Sequence, residues 1–98
     1  MKYSLRISAK ATQDAIIAID YYDVIMSTIG DKFIAELNET YQKILTNPFL
    51  YSYISTNPAD KFRDVKLKSF PYLVIYEVHE RDIIITAVFN THQKPFLQ

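Results

Sequence analysis

Between Phe62 and Pro95 the chain reads FRDVKLKSFPYLVIYEVHERDIIITAVFNTHQKP, and this block leaves few ways to fold. Val65 and Leu67 alternate with Asp64, Lys66 and Lys68, and Ser69-Phe70-Pro71 then reverses the chain. Tyr72 to Val78 forms a second period-two segment, and Ile83 to Phe89 forms a third after the polar turn His79-Glu80-Arg81-Asp82. A period of two marks strands, and connections this short join strands as antiparallel neighbours.

The part before this block is helical. Tyr3, Leu5 and Ile7 alternate with Ser4, Arg6 and Ser8 as one short strand, and Ser8 stands where a helix N-cap would accept a free backbone N–H. From Ala9 to about Ser27 the positions Ala15, Ile19, Tyr22 and Met26, widened by Ile16 and Ile25, recur at helical spacing. Gly30 is expected to close this helix or open the next through a positive φ. A second helix, from Asp31 to Thr46, carries Phe33, Leu37, Tyr41 and Ile44 and ends at Asn47-Pro48. So short a connection predicts an antiparallel helical hairpin. Phe49 to Lys61 reads as a loop whose Phe49, Tyr51 and Tyr53 should tuck under that hairpin. The order is β-α-α-β-β-β, an α+β fold: one antiparallel-rich sheet with the hairpin on one face, in a single domain over residues 1–98.

Composition removes several function classes. The chain has no cysteine, which excludes a disulfide framework and thiolate zinc sites; two histidines and scattered acids give no metal-ligand spacing, and no cofactor is expected. MKYSLRISAK lacks the apolar run of a signal peptide, and no stretch approaches the roughly 20 apolar residues of a membrane span. A cytoplasmic location without membrane contact is the expectation. Net charge is zero, though residues 1–60 hold five bases against seven acids and residues 61–98 six bases against four acids. That polarity is far weaker than the basic stripe of a strong nucleic-acid binder.

The strand parities predict an interaction surface. Tyr72, Val74, Tyr76 and Val78 should face the helices, leaving Leu73 and Ile75 on the open face with Ile84, Thr86 and Val88 of the last strand. An apolar patch on an uncovered sheet usually marks a partner; the alternative is that Pro95 to Gln98 folds back and covers it.

Taken together, Tyr21-Tyr22 in the first helix, Asn47-Pro48 after the second, Arg63, Phe70-Pro71-Tyr72 with Tyr76, and Ala87-Val88-Phe89 running into a tail that ends at Pro95 resemble the RelE/ParE superfamily of toxins from bacterial type II toxin–antitoxin modules. The resemblance spans essentially the whole chain. Two departures separate its branches. Many members carry Arg after Phe-Pro-Tyr, where this chain has Leu73, and a His-x-x-Arg tail, where this chain has Asn90 and Gln93. In the RelE-like branch, gathered Lys and Arg hold the phosphate of ribosome-bound mRNA and stabilise its transition state, so missing cations cost orders of magnitude in rate.

The resemblance therefore implies the ParE-like branch: a toxin of a plasmid stabilisation or addiction module that binds a protein target such as DNA gyrase and is neutralised by a cognate antitoxin. The alternatives are a RelE-like ribosome-dependent mRNA endonuclease, or an attenuated member without toxicity. The implied target-binding residues are Arg63, His92, Gln93 and Lys94; Arg63, Lys66, Lys68 and His92 would be the catalytic candidates of the endonuclease alternative. The predicted antitoxin-binding residues are Leu73, Ile75, Ile84 and Val88, together with the outward ridge of the hairpin.

Overall fold

The computed structural model describes residues 2–54 and 61–92. Six elements follow in the expected order: β1 (Ser4–Ile7), α1 (Ala9–Ile25), α2 (Ser27–Thr46), β2 (Arg63–Lys66), β3 (Tyr72–His79) and β4 (Asp82–Asn90). The sheet order is β1-β4-β3-β2. β2 and β4 flank β3 antiparallel, while β1 runs parallel to β4, which is what a helical crossover between them requires.

Ser8 caps α1 as its sequence position predicts. Its hydroxyl accepts from the Ala11 N–H at 3.0 Å and donates to the Thr86 carbonyl at 3.0 Å. Pairing of β1 with β4 ends at Ile7–Ile85, so the next stretch of the β4 edge has no strand beside it. Side chains at the start of α1 take over: Ser8 bonds Thr86, and Asp14 accepts the Val88 N–H at 3.1 Å. The parallel strand and the helix that follows it thus satisfy one continuous edge.

The helices meet at a single extended residue, Met26 (φ −169°, ψ 130°), and α2 begins four residues earlier than its sequence pattern suggests. Gly30 lies inside α2 without a positive φ, contrary to its expected role as a helix terminator. Its neighbour is Asp23 of α1: a Cβ at position 30 would sit 1.7 Å from a carboxylate oxygen and would displace that exposed side chain. Tyr22 stacks on Phe33, Asp23 abuts Gly30 and Asp14 acts on Tyr41, a pairing that descends one helix as it climbs the other, so the hairpin is antiparallel.

The core lies between this hairpin and one face of the sheet. Tyr22, Phe33, Phe70 and Tyr72 form an aromatic cluster with ring centroids 4.8–6.3 Å apart. Val74, Tyr76, Ile83 and Ile85 continue it across β3 and β4, and Leu37 and Ile44 close it from α2. The buried Tyr76 hydroxyl donates to the Pro48 carbonyl at 2.7 Å, fixing the end of α2 to the central strand. Glu80, at φ 57°, makes the tight β3–β4 turn, a left-handed position that costs a non-glycine residue some strain.

Register explains one error of the sequence reading. Opposite Ile75 and Tyr76, β4 shifts by one residue, pairing Ile75 with Ala87 but Tyr76 with Ile85. Thr86 is the extra residue of this bulge, and everything beyond it changes face. Val88 consequently turns into the core, 3% exposed, rather than onto the open face. Ile75, also predicted on the open patch, does point away from the helices, but it lies mid-sheet between Asp64 and Ala87 and is closed to solvent. Neither residue offers a surface to a partner. Leu73 and Ile84 remain partly exposed on that face.

Candidate functional site

The cations singled out in the sequence do not converge. Arg63 pairs with Tyr76 and shares its face, whereas Lys66 pairs with Leu73 on the opposite face. Strand alternation makes this unavoidable for residues three apart. Arg63 is also engaged within the molecule. Its guanidinium donates to the Tyr51 carbonyl at 2.6 Å and lies 4.0 Å from the Tyr53 ring centroid and 5.3 Å from that of Phe49. Arg63 thus gathers the loop aromatics: Tyr51 is half-buried and packs against the core as expected, whereas Phe49 and Tyr53 stay exposed and do not tuck under the hairpin. Backbone bonds from Ile54 to Phe62 and from Asp64 to Ser52 lay this loop along the β2 edge.

Lys68 lies past the end of β2 and forms an exposed ion pair with Glu39 of α2 at 3.3 Å, a carboxylate shared with Lys43. These two cations hold the Glu39 carboxyl below the usual range. His92 lies beyond β4, at the same end of the sheet as Lys68 but two strands across from it. Gln93 and Lys94, implied as target-binding residues, lie outside the described residues, as do Pro95 to Gln98. Among the described residues no group of three His, Cys, Asp or Glu is placed to hold a metal.

A groove lies elsewhere on the molecule. With a volume of about 380 Å³, it runs between α1 and the ends of β3 and β4. Ile17, Tyr21 and Ile25 form one wall, and Pro71, Asn90 and His92 form the other. Its base is Tyr22 and Tyr72, whose phenols burial pushes above their ordinary value, so both are neutral hydroxyls at physiological pH. Asp14 closes one end, already committed to Lys10 at 2.9 Å and to the Val88 N–H.

The groove adjoins an apolar stripe on the outward side of α1. Ile17, Tyr21, Val24 and Ile25 follow the i, i+4, i+7, i+8 rule, and all are exposed, Val24 at 87% and Tyr21 at 61%. Thus α1 has two apolar sides: Ala11, Ala18 and Tyr22 pack inward, and this set faces solvent. The stripe expected from the sequence packs inward at Ala15, Ile19 and Tyr22 but not at Ile16, Ile25 and Met26, which are exposed, and it leaves out Ile17, Tyr21 and Val24. The outward one was visible in the same heptads, but a helix apolar on both sides yields no single face to a search for one amphipathic pattern.

These features fit one family. A sequence model described as the ParE toxin of type II toxin–antitoxin system, parDE, matches residues 5–95. The chain belongs to the ParE toxin family. Among solved structures, a chain of the "Chromosomal ParDE TA system from P. aeruginosa" superposes with a TM-score of 0.78 at 20% sequence identity, covering 91% of this chain and 96% of that one. At that identity the likeness establishes the α+β fold, which is the fold of this ParE family member. No curated protein matches the sequence. Among the described residues no helix is long and apolar enough to cross a membrane.

Proposed function

We propose that this ParE-family protein is the toxin of a two-gene module, held inactive by a cognate antitoxin, and that it acts in the cytoplasm by non-covalent binding to a protein target such as DNA gyrase. One observation carries the non-catalytic reading: the candidate cations are dispersed. Arg63 is stacked and hydrogen-bonded, Lys66 is on the opposite face, and Lys68 is paired with Glu39. Phosphoryl-transfer chemistry on RNA needs several such groups preorganised around one phosphate. What the molecule presents to partners is largely apolar, which suits recognition of protein better than of RNA.

Inducible expression tests this. Growth arrest accompanied by a DNA-damage response, relieved by co-expressing the antitoxin, is the expected outcome. Arrest of translation within minutes, without DNA damage, would favour the endonuclease alternative. Unimpaired growth at high expression would indicate an attenuated member.

A further inference from the structure

We infer that Phe49, Leu50 and Tyr53, gathered around Arg63, form the surface that binds the toxin's protein target, and that the target meets it with a carboxylate set among apolar side chains. The inference rests on the proposed toxin role and specifies the chemistry of what is bound.

This surface is separate from the groove. The groove is built on Tyr72 and Asn90, where β3 begins and β4 ends, whereas Phe49 packs edge-on against Tyr3, which precedes β1 at the opposite end of the sheet. Phe49 is 54% exposed, Leu50 66% and Tyr53 53%, three large apolar side chains close together in the chain. An exposed cluster of this kind points to a partner.

The cluster is also held ready. The Leu50 N–H donates to the Asn47 carbonyl at 3.2 Å, the Ile54 N–H to the Phe62 carbonyl at 2.9 Å, and the Arg63 guanidinium to the Tyr51 carbonyl at 2.6 Å. Side chains on a backbone fixed in this way lose little freedom on binding, and Tyr and Arg are enriched among the residues that carry interface energy.

Charge selects the occupant. One carbonyl and two aromatic rings hold Arg63 in place without neutralising it, and among the described residues it forms no ion pair. Its neighbour Asp64 lies on the opposite face of β2. A carboxylate offers the guanidinium the full negative charge that the loop does not. A single strand of nucleic acid is the poorer occupant. Its phosphates call for several cations, and the guanidinium already covers one face of the Tyr53 ring on which a base would stack.

The test induces the full-length toxin without its antitoxin and compares growth arrest at equal protein levels. Leu50→Asp sets a like charge before the target's carboxylate and should need about tenfold more toxin for the same arrest. Leu50→Lys removes the same apolar contact with the opposite charge and should need no more than about threefold more. Both variants, checked for folding by circular dichroism, should bind the antitoxin of the same module with wild-type affinity in isothermal titration. Tyr53→Ser, expected to lose arrest in the same way, replaces them if they fail to fold. If wild-type toxin does not arrest growth, the proposed toxin role fails and this inference with it. If it does and Leu50→Asp arrests growth equally well, this surface is wrong while the toxin role stands. Equal losses in Leu50→Asp and Leu50→Lys would overturn the carboxylate. A folded Leu50→Asp that loses antitoxin affinity would give the surface to the antitoxin. Binding of a fluorescent single-stranded oligonucleotide to wild-type toxin, lost in Leu50→Asp, would give it to nucleic acid.

Discussion

The β2 strand and the outward face of α1 are both surfaces that a function could use, and the molecule treats them oppositely. β2 and the residue pair after it carry three cations, which in the sequence look like a phosphate site. In the fold each has a different neighbourhood: Arg63 braces the 49–54 segment, Lys66 points to the open face, and Lys68 ties to α2. The outward face of α1 lacks any chemistry-bearing motif, yet it holds the largest apolar side chains left in solvent on a regular element. Charge density in a sequence is thus a poor guide to a site when alternation and loop packing disperse it. An apolar stripe with no internal partner is the better indicator, since leaving it in water is costly.

The contrast can be broken most sharply inside the helical hairpin. Phe33 is fully buried among Tyr22, Phe70 and Tyr72, so Phe33→Ala should cost about 3–5 kcal/mol, enough to unfold much of a marginal domain of this size. Val24→Ala, on the outward stripe, should leave the urea midpoint nearly unchanged. Equal losses in the two variants would mean that the stripe is covered within the monomer.

A smaller effect tests Arg63. If it serves the loop, Arg63→Ala should destabilise the protein by about 1–2 kcal/mol and raise amide exchange at Ile54 and Asp64, whose N–H groups bond across this segment. A fully stable Arg63→Ala protein with unchanged exchange would return Arg63 to the list of free functional cations.

A further effect is alkaline. Burial pushes the phenols of Tyr41 and Tyr76 up to about 12 from an ordinary value of 10. A folded state that holds these protons more tightly than the unfolded one keeps its full stability below pH 10 and loses it as pH rises through 12. Urea midpoints should therefore fall between pH 10 and 12. Tyr76→Phe should make that fall shallower, while lowering stability at neutral pH because the Pro48 carbonyl loses its donor. A flat profile across this range would contradict the burial of both hydroxyls.

Much of the fold could be read from the chain because its signals are local. The Ser8 cap, the Asn47-Pro48 stop, the polar turn at 79–82 and period-two strands each follow from nearest-neighbour chemistry, and the element order followed from them. Three features could not be read in this way. The bulge at Thr86 has no turn residue to announce it, and it reverses the face of Val88. Gly30 marks a close approach to Asp23 on the other helix, a contact that local sequence does not reveal. The partners of Arg63 are loop residues 10 to 14 positions upstream, whose packing depends on the completed sheet edge. The candidate site was legible in part: its Tyr21-Tyr22 pair and His92 were noticed, but the cleft joining them exists only once α1 crosses the end of β4.

The central claim is that this ParE-family fold acts by binding and not by cutting RNA, because its cations are dispersed. Primer-extension mapping of ribosome-bound mRNA incubated with the purified toxin tests it most directly. The account predicts transcripts of full length at toxin concentrations that arrest growth. Codon-specific cuts that disappear in the Lys66→Ala, Lys68→Ala double variant, a change that touches only exposed lysines, would contradict it.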